Sequence, residues 1–191
     1  MPIGYLVPTP LEPYPPTHIL LLTGAPGIGK TTIIKNIAER FKGKRLGGFY
    51  TEEIREHGER RGFRLVIFDG QERVIAHVDF PRAHCVGRYG VDVAALDEVV
   101  GSALALDNAV TVYLVDEIGK MECLSVRFIA AMRALLKSPM TLVAAVALKG
   151  SGFIAEVKQR KDSLLWEVTR ENRDGLPARI LAWLDRRGLP E

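Results

Sequence analysis

The stretch Gly24-Ala25-Pro26-Gly27-Ile28-Gly29-Lys30-Thr31 matches G-x-x-x-x-G-K-[ST] at every position. Residues 19–22, Ile-Leu-Leu-Leu, precede it as a buried-strand run, and residues 32–41 follow as an amphipathic helix. Strand, glycine-rich loop and helix in this order form a phosphate-binding context. Glycines let successive backbone N–H groups curl round an anion without interference from Cβ atoms. The helix N-terminus adds a fixed partial positive charge of roughly half a unit. Lys30 is then placed to reach β- and γ-phosphates, and the Thr31 hydroxyl to ligate Mg²⁺.

A chain of 191 residues is long enough for one sizeable α/β domain with its own core, and a hydrophobic fraction of 47% is ordinary for a folded protein. No apolar run reaches membrane-spanning length, and no charged leader precedes an apolar segment, so a cytoplasmic protein is expected. Cys85 and Cys123 are too few for a disulfide framework and lack neighbours at zinc spacing; they read as reduced, buried thiols. The net charge of +3 neither demands nor excludes nucleic acid.

Residues 1–17 contain Pro2, Pro8, Pro10, Pro13, Pro15 and Pro16, which cannot sit inside a helix or a central strand. They read as an extended arm before a domain of residues 18–191. A second strand is expected at residues 47–53 and a charged loop at residues 55–61. Residues 63–68 and 73–78 flank Asp69-Gly70 as an antiparallel hairpin. Such a hairpin is an extension of a mainly parallel sheet whose strands otherwise alternate with helices. Residues 86–90 read as a loop leading to Asp92, a cap for a helix at about residues 93–106. Further helices are expected at about 124–137, 154–161 and 176–187, and strands at 111–115, 140–148 and 164–168.

The apolar run at residues 111–115 ends in Asp116-Glu117. Asp116 stands where a carboxylate can hold Mg²⁺ directly or through water, and Glu117 where one can polarise an attacking water. With this acid pair, the strand at 140–148 is expected between the loop strand and the acid strand. Positive charge on the transferring phosphoryl group has to come from beyond Lys30 as well. Candidates are Arg88, in a glycine-flanked loop able to close over the phosphates, together with Lys120, Lys149 and Arg160. Asn172-Arg173-Asp174 reads either as a helix-capping cluster or as a loop whose Arg173 stacks on a base.

The segments GAPGIGKTT, GGFYTEEIR, VGRYGVDV, LVDEIGKME, KGSGF and VTRENRD occur here in the order seen in the THEP-type nucleoside-triphosphatase family, which the chain resembles from about His18 onward. The resemblance implies a RecA-like P-loop NTPase fold. It also implies slow, Mg²⁺-dependent hydrolysis of ATP, GTP, CTP and UTP with broad base tolerance. It places nucleotide-binding residues at Gly24, Ala25, Pro26, Gly27, Ile28, Gly29, Lys30, Thr31 and Thr32. A second binding segment falls on Tyr113, Leu114, Val115, Asp116, Glu117, Ile118, Gly119 and Lys120. The proline-rich arm is an addition to the family pattern, and Leu148 stands where a basic or imidazole side chain is expected before Lys149.

Two other functions compete with hydrolysis. In a nucleotide or small-molecule kinase, an acceptor hydroxyl replaces water, held by Arg88 and the strand at residues 47–55. In a nucleic-acid-linked ATPase, the cue is Arg55, Arg60, Arg61, Phe63 and Arg64, whose charge Glu52, Glu53, Glu56 and Glu59 largely neutralise. Nucleoside triphosphates are therefore the expected partners, with neither membrane nor nucleic acid, and the default oligomeric expectation is a monomer.

Overall fold

Apolar runs without polar alternation have to be covered on both faces, and the fold meets that demand with helices on each side of one sheet. The computed structural model describes residues 17–188. It begins with β1 (Ile19–Thr23), α1 (Lys30–Arg40), β2 (Leu46–Glu56), β3 (Glu59–Ile67) and β4 (Glu72–His77). Then come β5 (Cys85–Val86), β6 (Tyr89–Val91), α2 (Val93–Ala103) and β7 (Val112–Ile118). A 3₁₀ turn at Glu122–Leu124 leads to α3 (Val126–Lys137), β8 (Leu142–Val146), α4 (Phe153–Lys158), β9 (Leu164–Glu167) and α5 (Leu176–Asp185). The proline-rich arm lies outside the described residues except for Thr17, whose hydroxyl donates to the Asp162 carbonyl.

The sheet order is β5-β6-β4-β3-β2-β7-β8-β1-β9. Strands β2, β7, β8, β1 and β9 run parallel, and β8 lies between the loop strand β1 and the acid strand β7, as the acid pair predicts. Alternate residues of each central strand feed opposite cores. Ile19 and Leu21 of β1, with Tyr113 and Val115 of β7, pack among residues of α2, α3 and α4. Leu20, Leu22, Val112 and Leu114 face α1 and α5 through Ile34, Ile37, Ile180 and Trp183. Side-chain caps set two helix starts: Asp92 accepts from the Ala95 amide (2.9 Å) and Ser125 from the Phe128 amide (2.8 Å).

The antiparallel extension is larger than one hairpin. β2 pairs with β7 on one edge and with β3 on the other, and β4, β6 and β5 follow, all antiparallel. Residues 55–61, read as a loop, are mostly strand, turning only at His57 (φ 49°) and Gly58 (φ 83°). Ion pairs bind the two strands there: Glu53 with Arg60 (2.8 Å) and Glu56 with Arg61 (3.3 Å). Residues 86–90, also read as a loop, form the β5–β6 hairpin. At Gly48 (φ 94°) a Cβ would lie 1.9 Å from the Leu114 carbonyl oxygen, so glycine is what lets β2 close against β7. Cys85, expected to be buried, is exposed because it sits on the two-residue edge strand; Cys123 is half-buried. Among the described residues no helix is long and apolar enough to cross a membrane.

Candidate active site

The phosphate loop leaves β1 at Thr23 and enters α1 at Lys30. Gly29 caps that helix with φ 117°, a conformation that L side chains rarely adopt. The first-turn amides of α1 have no carbonyl partner within the helix, so the loop ends in a set of free donors. Lys30 is buried, and its Nζ donates to the carbonyls of Gly24 (3.1 Å) and Ala25 (3.4 Å). The same ammonium lies 3.4 Å from Glu117 Oε2. The acid strand and the phosphate loop therefore meet at one point, across β8.

Asp116 is buried at 2% exposure. The Thr51 hydroxyl donates to its backbone carbonyl at 2.7 Å. Burial pushes its carboxyl up to about 6, with the Glu117 charge adding to the rise, while the Thr31 side chain and the Thr51 backbone beside it favour the ionised form. Its Oδ2 is buried without a hydrogen-bond partner. An orphaned hard oxygen beside a hydroxyl at the start of a phosphate loop fits a small divalent cation, whose ligands are oxygen atoms. Thr31 and Asp116 are the residues placed to hold one.

A hollow of about 300 Å³ is lined by Thr31, Thr51, Asp116, Glu117 and Glu122 themselves, and three others open nearby. The largest, a cleft of about 860 Å³, runs outward from Lys30 and Thr31 toward Arg60, Phe63 and Tyr89 of the antiparallel extension. On the other side of Glu117, a hollow of about 550 Å³ is lined by Lys30, Lys120, Leu148 and Lys149. Two of the sequence-nominated cations, Lys120 and Lys149, thus stand at the mouth of the loop. The third hollow, about 310 Å³, lies behind Gly29 between Thr32, Asn36 and Arg173, with Ile28 also on its wall. Asn172 accepts from the Thr169 amide (2.9 Å) and donates to the Glu167 carbonyl (2.8 Å), fixing the turn that presents Arg173.

Other nominated residues lie elsewhere. The Arg88 guanidinium is exposed on the β5–β6 turn, donating to the Arg60 carbonyl and, at 3.2 Å, to the Tyr89 hydroxyl. Arg160 donates to Leu136 O (3.0 Å) and Asp162 (2.6 Å) on another face. Tyr113, Leu114, Val115 and Ile118 are core residues that back Asp116 and Glu117, with no contact to the hollows. The Tyr113 hydroxyl donates to Ala105 O at 2.6 Å.

Sequence reasoning passed over Thr51, which holds Asp116, and Glu122. The Glu122 carboxyl is buried behind the acid pair and raised to about 8, chiefly by burial and further by the charges of Glu117 and Asp116. Its own amide and that of Gly119 oppose the rise. Glu122 stands inside LVDEIGKME, so its position in that motif was the available signal.

A family model described as NTPase matches residues 19–181, most of the chain. The chain belongs to the NTPase family. Among similar members, Nucleoside-triphosphatase THEP1 of Aquifex aeolicus is 36% identical over 87% of this chain and 99% of its own length. The human Cancer-related nucleoside-triphosphatase is 35% identical, covering 82% and 91% respectively. The crystal structure of Aquifex aeolicus THEP1 superposes with a TM-score of 0.79 at 34% identity, over 86% of this chain and 98% of that one. The solution structure of a human cancer-related nucleoside triphosphatase gives 0.75 at 34% identity, over 87% and 96%. The α/β architecture is thus the P-loop NTPase fold of this family.

Proposed function

We propose that this chain hydrolyses nucleoside triphosphates to nucleoside diphosphates and phosphate, slowly, with Mg²⁺ and with little preference for the base. The observation that carries the reading is the meeting of Lys30, Asp116 and Glu117: an ammonium and a carboxylate 3.4 Å apart at the end of a phosphate loop. The names of the similar family members point the same way. Lys30 binds the β- and γ-phosphates, and the loop amides cradle the polyphosphate. Glu117 orients a water and draws its proton as the oxygen approaches phosphorus. Lys120 and Lys149 add positive charge on the far side of the transferring group. Thr31 and Asp116 would hold the Mg²⁺, which when bound would neutralise charge on the polyphosphate. Base tolerance follows from Arg173, whose planar guanidinium stacks on any base face without reading its edges.

Incubating the protein with Mg²⁺ and each of ATP, GTP, CTP and UTP should release phosphate from all of them. Lys30→Ala should abolish that release. Undiminished turnover in the variant, or no release from any triphosphate, would overturn the assignment.

A further inference from the structure

Water needs almost no room beside a γ-phosphate, yet the cleft measures about 860 Å³ and most of its outer wall is built by the antiparallel extension. That wall has a definite chemistry. Phe63 and Tyr89 meet edge to face with centroids 5.1 Å apart. The Arg60 guanidinium lies over both rings, 5.3 Å and 5.9 Å from their centroids. Val86 and Met121 continue the apolar surface toward Glu117. Arg60 holds Glu53 at 2.8 Å, and Lys35 holds Glu52 at 2.6 Å.

Once Lys30 serves the triphosphate, the remaining charges facing the cleft are two cations, Lys35 and Arg60, against the carboxylates of Glu52, Glu53 and Glu117. Such a wall does not attract a second anion, which disfavours a phosphorylated acceptor. An edge-to-face aromatic pair beside a planar guanidinium suits a heteroaromatic ring, which can stack on the guanidinium and pack against the ring carbons. Carboxylates alongside suit sugar hydroxyls, which donate hydrogen bonds to them. A neutral molecule with a planar ring and a primary hydroxyl meets all of these conditions.

Building on the phosphate-loop reading above, we infer that the outer cleft is an acceptor subsite for nucleosides, and that the site transfers the γ-phosphoryl group to a nucleoside 5′-hydroxyl as well as to water. The ring rests on Phe63 and Arg60, and the sugar points inward to Glu117. Glu117 takes the hydroxyl proton while the 5′-oxygen forms its bond to the γ-phosphorus. The bond from phosphorus to the β,γ-bridging oxygen breaks, its electron pair leaving with the nucleoside diphosphate. The products are a nucleoside 5′-monophosphate and a nucleoside diphosphate. The nucleoside competes with water for the same phosphorus.

The test follows ATP labelled in its γ-phosphate, with Mg²⁺ and adenosine, guanosine, cytidine or uridine, and separates the labelled products. Label is expected in a nucleoside monophosphate. Phe63→Ala should lower that transfer about ten-fold or more, the range of a lost base-stacking partner. Phosphate release without nucleoside should be unchanged by it. Phe63→Leu keeps the packing but removes the aromatic face, and it should show the same split if the alanine variant does not fold. Label found only in orthophosphate overturns the acceptor subsite and leaves the hydrolase standing. Equal transfer by wild type and Phe63→Leu overturns the role of the aromatic wall. No label leaving ATP in any mixture overturns the hydrolase reading and the acceptor subsite together.

Discussion

Glu117 and Glu122 are both glutamates of one short motif, yet their surroundings give them opposite behaviour. Glu117 is partly exposed and sits by the Lys30 ammonium; in the proposed reaction it takes the proton of the attacking water. Glu117→Gln should slow phosphate release by about 10²–10⁴-fold, the usual worth of a positioned base. Nucleotide affinity, read by direct titration, should survive because the loop and Lys30 are intact. Glu122 is enclosed, and its folded carboxyl keeps a proton up to about 8, whereas a free glutamate releases it near 4.5. Unfolding therefore releases a proton between those values. Stability is full below about 4.5 and falls as pH rises toward 8, by at most about 1.4 kcal/mol per pH unit. Chemical denaturation across this range should show that slope in the wild type and a flatter profile in Glu122→Gln. An unchanged slope would mean that Glu122 is ionised in the fold.

At the scale of elements, the join between β2 and β7 makes the site, since it sets Thr51 beside Asp116 and brings the extension up to the phosphate loop. A methyl group at position 48 would overlap the backbone oxygen of Leu114, which has no freedom to retreat. Gly48→Ala should cost at least about 2 kcal/mol, read as a lower denaturant midpoint with an unchanged slope. Elements were legible in the sequence where the cause was local. The runs of β1, β7 and β8 announce burial on both faces, and the glycine loop announces its own turn. The β5–β6 hairpin could not be read this way, because its strands are two and three residues long and β6 is anchored to the sheet by its pairing with β4. Arg55 to Arg61 looked like a solvated loop because the charged residues that pair across the β2–β3 hairpin mimic the composition of one. Among site residues, Lys30, Asp116 and Glu117 were legible from motif spacing. Thr51, Glu122 and the Phe63–Tyr89 wall were not, since each matters only through neighbours that the topology supplies.

For the whole molecule, ligand binding at the junction of loop and acid strand should stabilise the entire fold. A non-hydrolysable triphosphate with Mg²⁺ at roughly a hundred times Kd adds about 2.7 kcal/mol. For a chain of this size, at about 2–4 °C per kcal/mol, that corresponds to a rise in Tm of about 5–11 °C. Asp116→Asn should lose the part of the rise that depends on Mg²⁺ while keeping the part due to nucleotide alone. The sheet order has another consequence. Among the described residues β1 pairs only with β8 and β9, the last two strands along the chain, whereas β3 and β4 pair with near neighbours and β2 finds one of its two partners in the adjacent β3. A ribosome adding about 5–20 residues per second releases the meander early, but β1 waits for roughly 120 more residues before Leu142 appears. For that interval, some 6–24 s by the same rate, an apolar ribbon and the loop tethered to it have no sheet to join. A nascent chain stalled in this window presents holdase chaperones with the very segment that later anchors the polyphosphate.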